Sequence, residues 1–189
     1  SGNQLQDNYY GDRYTLSYIG NYNFNLDNSI VFGVERENDK IGYNKDLSGQ
    51  EDKHNHITSK FFDLQSRITN NVYFTFGSRF DEHSIVGNED SHRATFAYLF
   101  NDKNLKIKSS YGTGFRFPSL YEMFFVYAAN SKSLGNVKAE NSKSFDFGIE
   151  KSITDKNLNF EATYFNLRYD DVLEGWKTGN SSGLNYTTQ

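Results

Sequence analysis

His54 and His56, with Glu51 and Asp52 just before them, are the first residues of this chain whose types could do chemistry. Two imidazoles and two carboxylates could seat a divalent metal. Their i, i+2 spacing is not that of a helical zinc pair, and a solvated polar loop is the plainer reading. Asp170, Asp171 and Glu174 offer carboxylate oxygens to calcium but lack the regular ligand spacing of an EF-hand loop. Gly112-Thr113-Gly114 has no third glycine and no Lys-Ser pair behind it, so it does not read as a phosphate-binding turn. No Ser/His/Asp set and no carboxylate pair can be defended from spacing, so no catalytic residue, metal site or cofactor is assigned, and the expectation is no enzyme. What remains is Ser110 to Phe125, an aromatic cluster around one Gly-x-Gly and the only proline, Pro118.

Composition bounds the elements that must position that cluster. The 189 residues suffice for one large domain. Aromatic residues make up 17%, too many for a disordered chain, and Tyr, Phe, Thr, Asn and Gly favour strands joined by turns. A single proline suits long strands, because each missing N–H breaks a ladder. Without cysteine there are neither disulfides nor thiolate metal sites. A net charge of −4 with no basic block argues against nucleic acid. No apolar run is long enough for a transmembrane helix, and the N-terminus shows no leader pattern.

Period-two alternation recurs along the chain. It runs through Tyr14–Leu26, Ile30–Glu35, Val72–Asp81, Ala94–Phe100, Leu105–Tyr111, Phe145–Ile149 and Leu158–Tyr164. Each such strand has one apolar and one polar face. The reading is about eight strands, with a ninth beginning near Leu184. Short turns are expected at Asp27-Asn28, Asn70-Asn71, Asn101–Lys103 and Thr154–Lys156. Long polar loops are expected at Asn38–His56, Ser84–Asp90, Gly114–Asn141 and Gly175–Gly183. Short and long connections would then alternate, with all the short ones at one end. That is the wiring of an up-and-down meander, and of outer-membrane barrels in particular. The faces divide accordingly: Phe74, Phe76, Phe96, Tyr98, Phe145 and Phe147 toward lipid, with Arg79, Asp81, Lys106, Asp146 and Glu150 toward a wet lumen. A soluble β-sandwich also alternates its faces, so this pattern leaves both readings open.

Tyr111-Gly-Thr-Gly-Phe-Arg-Phe-Pro-Ser-Leu-Tyr-Glu-Met-Phe124 resembles a segment of the barrel of TonB-dependent outer-membrane receptors. There a strand ends in Gly-Thr-Gly-Phe-Arg/Lys and x-Pro-x-Leu-x-Glu-Leu-Tyr/Phe follows. Leu134–Glu150 is similar to the family's next stretch, with Ala139 where a proline is usual before Glu. Asn159–Leu173, with Tyr164-Phe165-Asn166 and Asp170-Asp171-Val172-Leu173, is similar to the strand after that. These ordered matches cover Tyr111–Leu173; residues 1–109 agree only in general pattern. Ferric-siderophore and cobalamin receptors are the branches it suggests.

The resemblance implies an all-β fold: an antiparallel up-and-down meander of about 8–9 strands, part of a larger transmembrane β-barrel, with one short helix in a long loop. Residues 1–189 would form part of a receptor barrel domain, without plug or closing C-terminal strand, because such barrels have about 22 strands. Gly112 and Gly114 are expected to end their strand with positive φ. Ser119 and Glu122 have the spacing of a capping box. The implied function is active transport of a metal chelate, such as a ferric siderophore, or of a cobalamin-like ligand, energised through TonB. The implied partners are TonB, the plug, that ligand and the lipid of the Gram-negative outer membrane. Phe115, Arg116, Tyr121, Phe125 and Tyr127 are the residues expected nearest to ligand. A soluble adhesion or glycan-binding sandwich is the alternative.

Overall fold

A computed structural model describes residues 8–45, 49–100, 104–127, 138–153 and 157–171. Among the described residues eight strands follow one another in a single antiparallel sheet: β1 (Asn8–Asn23), β2 (Asn28–Lys45), β3 (Gly49–Thr69), β4 (Val72–His83), β5 (Gly87–Phe100), β6 (Leu105–Arg116), β7 (Glu140–Ile153) and β8 (Leu158–Asp170). Their order in the sheet is their order in the chain. A Greek-key sandwich, which must pair non-sequential strands, is excluded. The expected ninth strand lies outside the described residues.

The alternation works as the sequence reading requires. Ser66, Phe74, Phe96, Ser109, Phe147 and Tyr164 are successive partners across β3 to β8 and share one face. Phe76, Ala94, Tyr111 and Phe145 form the next row of that face. Arg79, Asp81, Lys106, Asp146 and Glu150 lie on the other face, one residue out of phase along their strands. There the charges satisfy one another across strands. Arg79 Nη2 donates to Glu35 Oε1 at 2.9 Å and to Ser59 Oγ at 2.7 Å, while its Nε lies 3.0 Å from both Asp81 oxygens. Lys108 bridges Glu150 and Glu161 at 2.5 and 2.6 Å. The apolar face has no such cover: Tyr18 and Tyr164 are 65% and 62% exposed. In water such a face is an aggregation hazard, whereas hydrocarbon matches it.

The connections differ from expectation in an informative way. Asn38–His56 is not a loop, because β2 and β3 run through it as an extended hairpin. β3, with 21 residues, is the longest strand, and its alternation was the least legible. On the apolar face of β2, Ile30, Phe32 and Val34 give way to Arg36, Asn38 and Lys40, and residues 35–45 would reach roughly 35 Å further at about 3.3 Å each. A polar extension of this kind leaves the apolar band while keeping its ladder. Ser84–Asp90 likewise shrinks to the turn Ser84–Val86, closed by Gly87 at φ +105°, a conformation that favours glycine. The first short turn is Phe24–Asp27, not Asp27-Asn28. Asn70-Asn71 is a turn as expected, while Asn101–Lys103, Thr154–Lys156 and Gly175–Gly183 lie outside the described residues. Asn104 and Asn157 take positive φ just before β6 and β8, a role asparagine tolerates well.

Candidate ligand-binding mouth

β6 does not end at its glycines. It continues to Arg116, and neither Gly112 nor Gly114 has positive φ, which corrects the expected turn. Their role is one of space. A Cβ on Gly114 would lie 3.1 Å from Ser142 Oγ, and one on Gly112 3.3 Å from Ser144 Oγ. The Ser142 and Ser144 hydroxyls donate instead to the Gly114 and Gly112 carbonyls, both at 3.3 Å.

Beyond Arg116 the chain folds back across the mouth of the sheet as a strap, residues 117–124. Pro118 is buried and leads into a helical turn that widens to i→i+5 winding over Glu122–Tyr127. The capping box forms as its spacing predicts. Ser119 N–H donates to Glu122 Oε2 at 2.7 Å, and Glu122 N–H donates to Ser119 Oγ at 3.2 Å. Met123 N–H donates to the Ser119 carbonyl at 2.9 Å. Leu120 and Met123 then plug into a small apolar cluster with Ile41 of β2 and Ile85 and Val86 of the β4–β5 turn. Met123 is fully buried.

Arg116 fixes the base of the strap. Nη1 and Nη2 reach the two Glu122 oxygens at 3.0 Å each, while Nε and Nη2 reach those of Glu140 at 2.8 and 3.0 Å. One guanidinium thus holds the helical turn and the start of β7 together by two bidentate pairs. Burial works to raise the Glu122 carboxyl, but Arg116 and the Ser119 N–H and hydroxyl outweigh it and hold it below the usual carboxylate range.

Under the strap lies a cleft of about 510 Å³. Tyr9, Arg13 and Asp39 line one side, and Phe117, Leu120 and Tyr121 the other. Tyr121 meets Tyr9 edge to face, ring centroids 5.7 Å apart. Arg13 pairs with Asp39 at 2.7 Å and with Glu37 at 3.5 Å, so one guanidinium serves two carboxylates on the charged side of the cleft. Such a cleft can hold an apolar group beside the paired rings and orient it by a few polar contacts.

The five residues singled out from the sequence do not converge. Tyr121 lines the cleft. Arg116 is occupied by its two carboxylates. Phe115 stands on the apolar face opposite Asn141 and packs on Phe117 at 5.0 Å. Phe125 and Tyr127 belong to the helical turn, but their side chains lie outside the described residues. His54 and His56 sit on the opposite face of β3 from Asn55, and no metal-binding cluster forms among the described residues. Asp170 is paired with Arg168 at 2.9 Å. Tyr9, Arg13, Asp39 and His83 were missed, since only the fold of the strap over β1 to β4 brings them to one place.

An antiparallel meander with an apolar outer face, a polar inner face and strands running past the apolar band is the wall of a large outer-membrane β-barrel. The family model for the TonB dependent receptor-like β-barrel matches residues 1–188, and the chain belongs to that family. Barrels of this family are transporters, not enzymes, and sit in the outer membrane of Gram-negative bacteria. Among solved structures the chain is similar to the ferric enterobactin receptor PfeA in complex with BCV-L6, at 19% identity and TM-score 0.73, over 95% of this chain and 31% of that one. It is also similar to the siderophore receptor PirA from Pseudomonas aeruginosa, at 20% and 0.71, over 95% and 34%. The copper transporter OprC follows at 15% and 0.68, over 87% and 31%. At these identities the likeness shows the fold. The chain spans about a third of the length of these receptors. No curated protein matches it.

Proposed function

We propose that this chain forms part of the wall and mouth of an outer-membrane active transporter for a metal chelate of the ferric-siderophore kind. The observation that carries the reading is the cleft lined by the Tyr9–Tyr121 aromatic pair, held at the mouth by the Arg116 clamp. The relatives PfeA and PirA are described as siderophore receptors and OprC as a copper transporter, which supports a metal-bearing ligand. None of these three is described as binding cobalamin. In the whole receptor the remaining strands, a plug and TonB would complete the machine, and the ligand would be shared between this mouth and other loops. Binding energy spread over several loops is not retained by one of them. Within the chain, Tyr121 is the residue nearest to ligand, Phe125 and Tyr127 follow on the same turn, and Phe115 and Arg116 support it from below.

The test uses the full-length receptor with ferric enterobactin, a ferric tris-hydroxamate and cupric ion as separate probes. Affinity is measured per surface-exposed molecule for wild type, Tyr121→Ala and Tyr9→Ala. Both substitutions are expected to weaken one chelate about tenfold or more, the loss of one aromatic contact of ~1.5 kcal/mol. Unchanged affinity for every probe, with normal abundance, would remove the cleft from the binding site.

A further inference from the structure

His83 ends β4 and is almost wholly buried, 2% exposed, beneath the Phe117 ring at 4.7 Å between centroids. Its Nδ1 accepts two main-chain hydrogen bonds from the turn that follows, Ile85 N–H and Val86 N–H, both at 3.1 Å. An imidazole nitrogen that accepts carries no proton, so the ring is neutral and its hydrogen sits on Nε2. Nε2 lies 3.0 Å from the Asn55 side-chain amide. The Asn55 atom at that distance is Nδ2, and its Oδ1 is buried without a partner among the described residues; turning the amide over, so that Nε2–H donates to Oδ1, fits the tautomer that the turn requires.

The turn held by His83 is the surface on which the strap is anchored. Ile85 and Val86 are two of the residues that pack on Leu120 and Met123. His83 therefore touches the strap twice, directly through Phe117 and indirectly through the turn. We propose that His83 is a proton-operated latch: Ser84 is held by the His56 main chain, while the neutral ring pins Ile85 and Val86 of the turn and with them the strap over the cleft, and protonation of Nδ1 releases these two residues and the strap. The step is an acid–base one. A proton from solvent occupies the Nδ1 lone pair, and the two turn N–H groups lose their acceptor and turn to water. The imidazolium so formed lies beneath an aromatic ring, where burial disfavours charge unless the strap lifts.

Other groups near His83 are accounted for. From β2, Asp39 and Glu37 face this region, and both are paired with Arg13 of β1. From β3, His56 lies on the opposite face, although its charge is felt at His83, and Lys53 sits over the Phe124 ring at 5.1 Å. On β4 itself, Asp81 is held by Arg79 and Ser59. The strap contributes Tyr121 and the clamped Glu122. None of them accepts the turn N–H groups that His83 holds.

The latch governs access to the cleft proposed above as a ligand mouth, and its biological meaning rests on that reading. The test is amide hydrogen exchange of residues 119–124 in the full-length receptor, corrected for intrinsic pH dependence. Going from about pH 7.5 to about pH 5.5 crosses the ordinary histidine range near 6.5 and leaves Glu122 ionised. Burial holds the closed-strap imidazole below that ordinary value, so wild-type protection is complete above it and is expected to fall by up to about tenfold as pH drops to about 5.5, through linkage to one proton. His83→Asn keeps a side-chain acceptor for the turn and does not titrate, so its protection is expected to stay constant; His56→Gln should behave as wild type. His83→Phe lacks the acceptor and should be weakly protected at both pH values. Constant protection in wild type, or a pH response that survives in His83→Asn, overturns the latch. Ferric enterobactin and ferric tris-hydroxamate binding are measured alongside. A receptor that binds neither, yet loses strap protection at low pH, keeps the latch and loses the ligand reading. One that binds a chelate with a pH-insensitive strap loses the latch alone.

Discussion

Replacing Arg116 by alanine isolates what holds the strap down. The guanidinium makes four hydrogen bonds of 2.8–3.0 Å to two carboxylates. Charged hydrogen bonds of this kind reach ~1.5–3 kcal/mol, while exposed ion pairs give only ~0.2–1 kcal/mol. The Arg116 side chain is 49% exposed, but Glu122 and Glu140 are 23% and 16% exposed, so an intermediate value applies. Discounting for solvent screening leaves about 1 kcal/mol per pair, hence about 2 kcal/mol for the clamp. If the clamp acts on the closed strap alone, that is roughly a 30-fold rise in the opened population. Hydrogen exchange of the Glu122 and Met123 amides reads this directly, because both bond within the capping turn. Arg116→Ala is expected to cut their protection by that factor, and Glu140→Gln, which spares the Glu122 pair, by about 5-fold. Unchanged protection in Arg116→Ala would show that Leu120 and Met123 hold the strap unaided, and the clamp argument would fall.

Acid acts on the same clamp from the other side. The Glu122 pKa is lower in the folded protein than its unfolded value near 4.5, so its stabilisation is complete above that value and lost as pH falls through the depressed one; strap protection in His83→Asn should stay flat down to about pH 5 and fall as pH drops below 4.5. Gly33→Ala places a Cβ 2.6 Å from the Tyr18 carbonyl oxygen and 2.5 Å from the Phe61 ring, so overpacking of about 1–3 kcal/mol should appear as a lower unfolding midpoint. An unchanged midpoint would mean that β1 yields freely at that point. Phe76→Arg, on the apolar face, is expected to cost roughly 2–4 kcal/mol of folding stability in the bilayer, whereas Thr75→Arg on the polar face should cost far less. Equal costs would mean that the faces are assigned wrongly.

The sheet was legible because period-two alternation is a local signal and the register then follows from turn positions. The Ser119/Glu122 cap was legible for the same reason, since both partners lie within one turn. Three things were not. Asn38–His56 looks like a loop because beyond the apolar band both faces of β2 and β3 are mostly polar, with Ile41 an isolated apolar residue, so alternation vanishes while the ladder continues. Gly112 and Gly114 read as turn formers, although their use is to leave room beside Ser142 and Ser144, partners about thirty residues away. Arg116 reads as a free cation for a ligand because its two carboxylates come from separate segments, one of them on β7. The cleft is the least legible of all. Tyr9 and Tyr121 are brought together by the fold of the strap over β1, and no spacing in the chain encodes that.

The apolar band itself measures the tilt of the strands. Ile30, Leu64, Phe76, Ala94, Tyr111, Phe145 and Asn166 form one hydrogen-bonded row across β2 to β8. On β2 the outward apolar run Ile30, Phe32, Val34 is centred about 2 residues above this row; on β8 the run Leu158, Phe160, Ala162, Tyr164 is centred about 5 residues below it. The band thus shifts by about 7 residues, roughly 23 Å at about 3.3 Å per residue, over six strand spacings of about 4.8 Å, or roughly 29 Å. That slope is about 40°, inside the ~35–45° tilt of membrane barrels. It also explains why Lys143 and Arg168 can stand on the apolar side as neighbours in the next row up. They are level with Phe32 along the hydrogen bonds but well above it along the membrane normal. The intermediate strands follow the same line: interpolation puts the centre near Leu64 on β3, at Phe76 on β4 and near Lys108 on β6, each within or beside its own apolar run. A flat sheet covering a soluble core would keep its apolar residues in constant hydrogen-bonded rows. This one does not, because its solvent is a slab that the strands cross obliquely.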